Sequence, residues 1–232
     1  MPRSTIARID LDALRRNFQT AQRRAGGARV MAVVKADGYG HGIGPVASAL
    51  DSLAPKYAVA CLEEARAIRE TGLIQPVVLL QGVHAEADIA ECARSGFEPV
   101  FHSFQQLAWL ERLENWPAFW LKVNSGMNRL GFHPDELAGV MSRLQAMSAD
   151  TELLGFVTHF ACADDPDSAM TAQQTAVFEK ATSSFPDLMK SVANSAAHFR
   201  PGQPMFDWSR PGIMLYGGSP MVGTTGPELG LE

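Results

Sequence analysis

At 232 residues, with 46% hydrophobic and 19% charged side chains, the chain can bury a sizeable core, as one large α/β barrel or as two small domains. A net charge of −5 and the lack of a dense Lys/Arg cluster argue against nucleic acid as a partner. No window approaches the ~18 consecutive apolar residues of a membrane span, and MPRSTIARIDLDALRRNF has no apolar leader core, so the expectation is no membrane partner and a cytoplasmic protein.

The first predicted element is a helix over residues 11–25, where Leu11, Leu14, Phe18 and Ala21 recur at helical spacing and Gly26-Gly27 ends the run. After it, short apolar runs at 30–34, 57–60, 76–80, 98–101, 119–123, 153–158, 188–193 and 212–217 alternate with stretches that suit helices, such as LEEARAIRETG and DSAMTAQQTAVFEKAT. Eight strands separated by helices predict a single-domain α/β fold, a closed (β/α)8 TIM-type barrel, with an open doubly wound sheet as runner-up. The barrel is assigned to residues 1–217. The Gly-, Pro- and Thr-rich tail 218–232 reads as a linker or the start of a missing C-terminal β domain. Cys61, Cys92 and Cys162 are isolated and without metal-ligand spacing, which predicts reduced thiols and no metal.

In a parallel α/β sheet, ligands gather at the C-terminal strand ends. Lys35 follows the first run and Lys122 lies near the end of the fifth. Thr158 and His159 close the sixth, and Asn194 and Ser195 follow the seventh. Each has a structural explanation taken singly: Lys122 can snorkel, His159 can be a hydrogen-bonded core residue, and Ser195 can cap a helix. Their coincidence at one rim points to a site. A lysine on a rigid strand end, partly desolvated, suits Schiff-base chemistry toward an aldehyde. Tyr39, Ser195 and the backbone N–H groups of Gly212 and Ile213 offer donors for a phosphate. A phosphosugar substrate would suit this spacing nearly as well.

The segment AVVKADGYGHG resembles the cofactor-lysine signature of the alanine racemases, fold-type III enzymes that use pyridoxal 5'-phosphate (PLP). LKVNSGMNRLGF, VTHFACADD, VANSAA and DWSRPGIMLYG resemble further blocks of that family in the same order, so the likeness spans residues 5–220. It implies that Lys35 carries PLP and serves as acid or base on one face of the substrate α-carbon. It implies phosphate contacts from Tyr39, Ser195, Gly212 and Ile213, with Asn194 in the same group. Arg210 is implied to face the pyridine nitrogen with His159 beside it. Arg129 is implied to approach the cofactor and the substrate carboxylate, and Lys122 to be carbamylated.

The implied reaction is interconversion of L- and D-alanine, for cell-wall synthesis or alanine catabolism, in a family whose full-length members are homodimers. Two-base racemisation needs a proton donor on each face of the α-carbon. The family draws its second base from a tyrosine in a C-terminal domain, and Tyr39, Tyr57 and Tyr216 do not match it. The chain alone is therefore expected to be weakly active or inactive. The alternative is a PLP-homeostasis barrel without racemase turnover.

One residue fits the strand assignment poorly. With the last strand drawn at 212–217, Arg210 would stand at its entering end, away from the ligand rim.

Overall fold

In the computed structural model, which describes residues 6–147 and 153–232, helix α1 (Leu11–Arg24) opens the barrel. The first five residues of the opening stretch lie outside the described residues. Asp10 caps α1, accepting from the N–H groups of Asp12 and Ala13 at 2.9 Å each, and Leu14, Phe18 and Ala21 form its buried stripe.

The strands are β1 (Arg29–Val30), β2 (Ala32–Val33), β3 (Tyr57–Val59), β4 (Val77–Leu79) and β5 (Phe97–Phe101), followed by β6 (Phe119–Lys122), β7 (Leu153–Val157), β8 (Met189–Ser191) and β9 (Trp208–Ser209). All pair in parallel, in the order β1-β9-β8-β7-β6-β5-β4-β3-β2. β1 and β2 are the two halves of one run on either side of Met31. The first half pairs with β9 and the second with β3, so this run closes the sheet into an eight-rung (β/α)8 barrel.

Side chains alternate between two cores, as the strand period of two requires. Met31, Val33, Ala58, Val78, Val100, Trp120, Val157 and Trp208 fill the inside of the barrel. Residues of opposite parity, such as Val77, Leu79, Phe119 and Leu121, pack outward in one cluster with helix residues such as Leu62, Ile68 and Phe178. The helices are α3 (Ile43–Ala49), α4 (Leu62–Glu70), α5 (Glu86–Ser95), α6 (Phe104–Leu110), α7 (Leu137–Met147) and α8 (Met170–Thr182), with a left-handed helical turn α2 (Lys35–Gly40) between β2 and α3. At the end of the barrel where the strands enter, the Lys56 ammonium lies 2.6 Å from both Glu98 carboxylate oxygens, and the Trp120 indole N–H donates to Glu98 at 2.8 Å.

The segment 212–217 is not a strand. Ile213–Tyr216 form a 3-10 turn, and the last strand is β9, just ahead of it. The N–H groups of Arg29, Met31 and Val33 bond the carbonyls of Asp207, Ser209 and Pro211, so the eighth rung runs through 207–211. Pro211 has no N–H to extend the ladder, and the apolar side chains of Met214 and Leu215 are buried in a helical turn instead. Arg210 thereby stands at the ligand rim. The tail 218–232 turns back to α1: Leu231 is buried, and the Glu232 carbonyl accepts from Asn17 Nδ2 at 2.6 Å.

Candidate active site

Four successive residues after Lys35 lie in the left-handed region: Ala36, Asp37, Gly38 and Tyr39 have φ of 52°, 51°, 61° and 53°. For a residue with a Cβ this costs about 1–2 kcal/mol, so the turn persists only because its surroundings over-determine it. Asp37 Oδ1 accepts from the Ile43 N–H at 2.7 Å. His41 Nδ1 lies 3.1 Å and 3.0 Å from the carbonyls of Gly38 and Tyr39; two acceptors require that this nitrogen carry the proton. The Tyr39 ring stacks on Tyr216 with centroids 4.7 Å apart, and the Tyr216 hydroxyl donates to the Val33 carbonyl at 3.2 Å.

The turn faces a cavity of about 450 Å³ at the C-terminal end of the barrel. Of the residues placed at the rim or in the site from the sequence, ten line it: Lys35, Tyr39, Lys122, Arg129, His159, Asn194, Ser195, Arg210, Gly212 and Ile213; Thr158 does not, being buried with its hydroxyl 2.7 Å from Ser125 Oγ. Tyr57 and Tyr216 do not; the Tyr57 hydroxyl donates to the Ala47 carbonyl at 2.8 Å. Tyr39 is the one tyrosine in the cavity wall.

On one side the wall forms a cradle. Ser195 Oγ accepts from the N–H groups of Gly212 at 2.8 Å and Met214 at 3.4 Å, which leaves its own proton to donate. Ile213 opens the 3-10 turn, and the first N–H groups of a turn have no partner within it. A Cβ on residue 212 would stand 2.2 Å from the Tyr39 hydroxyl oxygen, so only glycine allows this approach. Asn194 Oδ1 accepts from the Ala197 N–H at 3.2 Å.

On the other side positive charge gathers. Buried Arg210 donates through Nη1 to Ser191 Oγ, and through Nη2 to the carbonyls of Thr158 and, at 3.4 Å, Val192. Its Nε makes no hydrogen bond among the described residues. Burial lowers its pKa to about 10, which leaves it cationic at neutral pH. Burial, then Arg210, Arg129 and Lys35, push the buried Lys122 amine down to about 7. Burial and the same cations, with Lys122, hold the His159 imidazole well below its ordinary range, so it is neutral. The side chains of Lys35, Lys122 and Arg129 make no hydrogen bond among the described residues. Asp164 is the one carboxylate in the wall among the described residues, so the cavity is suited to an anion.

Sequence reasoning missed Gln174 on α8. Its Oε1 accepts from the Ala161 N–H at 2.8 Å, and its Nε2 donates to the His159 carbonyl at 3.0 Å and to Ser125 Oγ at 3.3 Å. It ties the loop after β7 to the loop after β6. A signal was present: Thr171, Gln174, Thr175 and Phe178 form the buried face of α8, and polar groups there need specific partners.

The family described as alanine racemase, N-terminal domain, matches residues 9–220. The chain belongs to the alanine racemase family. It is 63% identical over 231 residues to the alanine racemase of Marinobacter nauticus, a match covering all of this chain and 64% of that protein. The match to the Thioalkalivibrio sulfidiphilus alanine racemase, 47% identical, covers 65% of that protein, so the chain spans just under two thirds of these relatives. Among solved structures, the biosynthetic alanine racemase of Pseudomonas aeruginosa superposes with a TM-score of 0.90 at 36% identity, over 97% of this chain and 63% of that one. The Bartonella henselae alanine racemase, solved with covalently bound pyridoxal phosphate, gives 0.85 at 27% identity, over 97% and 67%. No described helix in this family member is long and apolar enough to cross a membrane.

Proposed function

We propose that the chain binds PLP through Lys35 and acts in the interconversion of L- and D-alanine. The observation that carries the reading is the meeting, in one cationic cavity, of a lysine with no hydrogen-bond partner among the described residues and a cradle that a Cβ at Gly212 would block. When bound, PLP supplies an aldehyde that condenses with an amine, releasing water, and a ring that draws electrons from the substrate α-carbon.

Lys35 anchors the cofactor and takes or returns the proton on one face of that carbon. Tyr39 and Ser195 hold the phosphate with the N–H groups of Gly212 and Ile213, and Asn194 flanks them. Arg210, held through both terminal nitrogens, would offer Nε to the pyridine nitrogen, and a guanidinium that keeps its proton would leave that nitrogen unprotonated and temper electron withdrawal. Neutral His159, in the same wall as Arg210, would flank the ring without adding charge. Exposed Arg129 reaches the substrate carboxylate. Lys122, an amine pushed down to about 7 among cations, is suited to add CO2, forming an N–C bond and releasing a proton; the resulting carbamate is an anion beside Arg129.

Three unpaired cysteines suit a reducing, cytoplasmic setting. The D-alanine formed would serve cell-wall synthesis, and the reverse direction alanine catabolism.

Lys35 is the one group assigned here as a base, on one face, and Tyr39, the one tyrosine in the wall, is assigned to the phosphate. The PLP-loaded chain in D2O is therefore expected to exchange the α-hydrogen of only one alanine enantiomer, followed by NMR. Exchange of both at equal rates, or of neither, contradicts the reading.

A further inference from the structure

The last backbone link between β2 and β3 is the Val34 N–H to the Ala58 carbonyl at 2.9 Å. Beyond it the two chains diverge, one into the left-handed turn and the other into α4. Glu64, in the first turn of α4, spans the gap: Oε1 accepts from the Ala36 N–H at 2.6 Å, and Oε2 from the Ala60 N–H at 2.8 Å. A carboxylate thus takes the place of the next rung of the ladder. Hydrogen bonds to an ionised acceptor are roughly twice as strong as neutral ones.

The amide that Glu64 holds immediately follows Lys35, so it fixes the backbone from which the lysine side chain departs. The far end of the turn is held separately, by Asp37 on Ile43, by His41 on two carbonyls and by the stack of Tyr39 on Tyr216. Loss of Glu64 therefore loosens the lysine end of the turn, which keeps the Gly38 N–H to the Val34 carbonyl at 2.9 Å, and leaves the tyrosine end in place.

We propose that Glu64 is a positioning residue that aims Lys35 at the cofactor aldehyde, through its two-oxygen clamp on Ala36 and Ala60. The proposal rests on the reading that PLP binds through Lys35.

The test compares two ligands, PLP and pyridoxine 5'-phosphate, which carries an alcohol where PLP carries the aldehyde and cannot condense with an amine. The full chain, Glu64→Ala and Glu64→Gln are titrated with each, and amide hydrogen exchange is followed in the unliganded proteins. Glu64→Ala is expected to weaken PLP binding by about tenfold and to leave pyridoxine 5'-phosphate affinity unchanged. Glu64→Gln, which keeps one acceptor, is expected to fall between. In both variants exchange at the Ala36 N–H accelerates while that at His41 does not.

Equal loss of both ligands would mean a general structural role and would overturn the proposal, as would no loss of either. If Glu64→Ala does not fold, Glu64→Gln decides on the same comparison. If the unaltered chain itself fails to prefer PLP, the reading of Lys35 as the anchor falls first, a result distinct from any change caused by Glu64.

Discussion

Gly212 is the residue at which the cradle admits no side chain. An added Cβ would meet the Tyr39 hydroxyl oxygen at 2.2 Å and its ring carbon at 2.9 Å, and Tyr39 cannot retreat while stacked on Tyr216. Gly212→Ala is expected to weaken PLP binding by about tenfold or more and to remove competition by inorganic phosphate, both read in a loading titration; unchanged competition would contradict the cradle. The gathering of Lys35, Lys122, His159, Asn194 and Ser195 at one rim was legible in the sequence from residue type at predicted strand ends, whereas the place of Arg210 was not, since the strand drawn at 212–217 put it at the entering end. Gln174 was not, because its role is set by which loops α8 passes over. Glu64 was hidden for the same reason, among the other charges of LEEARAIRETG.

At the scale of elements, the alternation of apolar runs and helical stretches predicted the barrel, and the one misplaced strand has a local cause. GIMLYG is as apolar as a buried strand, whereas the true last strand, Trp208–Ser209, is short and flanked by the polar residues Asp207 and Arg210. Hydrophobicity marks burial and does not distinguish a strand from a buried 3-10 turn. Nor did the glycines of ADGYGHG reveal that Ala36, Asp37 and Tyr39 also adopt positive φ, a conformation imposed by tertiary contacts. Two loops depend on α8 in the same way. Gln174→Ala removes the partner of the Ala161 N–H and of the His159 carbonyl, and a buried polar group left unpaired costs about 1–3 kcal/mol. Urea unfolding is expected to show a loss of that size, accompanied by weaker PLP binding as His159 loses its anchor. Unchanged unfolding would contradict the assigned bonds.

At the scale of the whole molecule, acid stability has an identifiable source. His198 is buried between α1 and the segment after β8, neither ring nitrogen makes a hydrogen bond among the described residues, and burial, outweighing the nearby Ala21 carbonyl, lowers its pKa from 6.5 to about 4. The unfolded chain therefore binds a proton between pH 6.5 and 4 that the folded chain does not. Stability from this residue is complete above pH 6.5 and falls as the pH drops toward 4, by about 3 kcal/mol at most. His198→Phe, which cannot titrate, is expected to flatten that part of the stability–pH curve; an unchanged slope would place the acid sensitivity elsewhere.

The barrel as a whole brings the C-terminal ends of its strands to one cationic cavity, and the central claim about that cavity is covalent. Reduction of the PLP-treated chain with borohydride, digestion and peptide mass spectrometry tests it most directly. The cofactor mass is expected on the peptide carrying Lys35, and it should vanish in Lys35→Ala. Labelling of another lysine, or equal labelling of Lys35→Ala, would contradict the account.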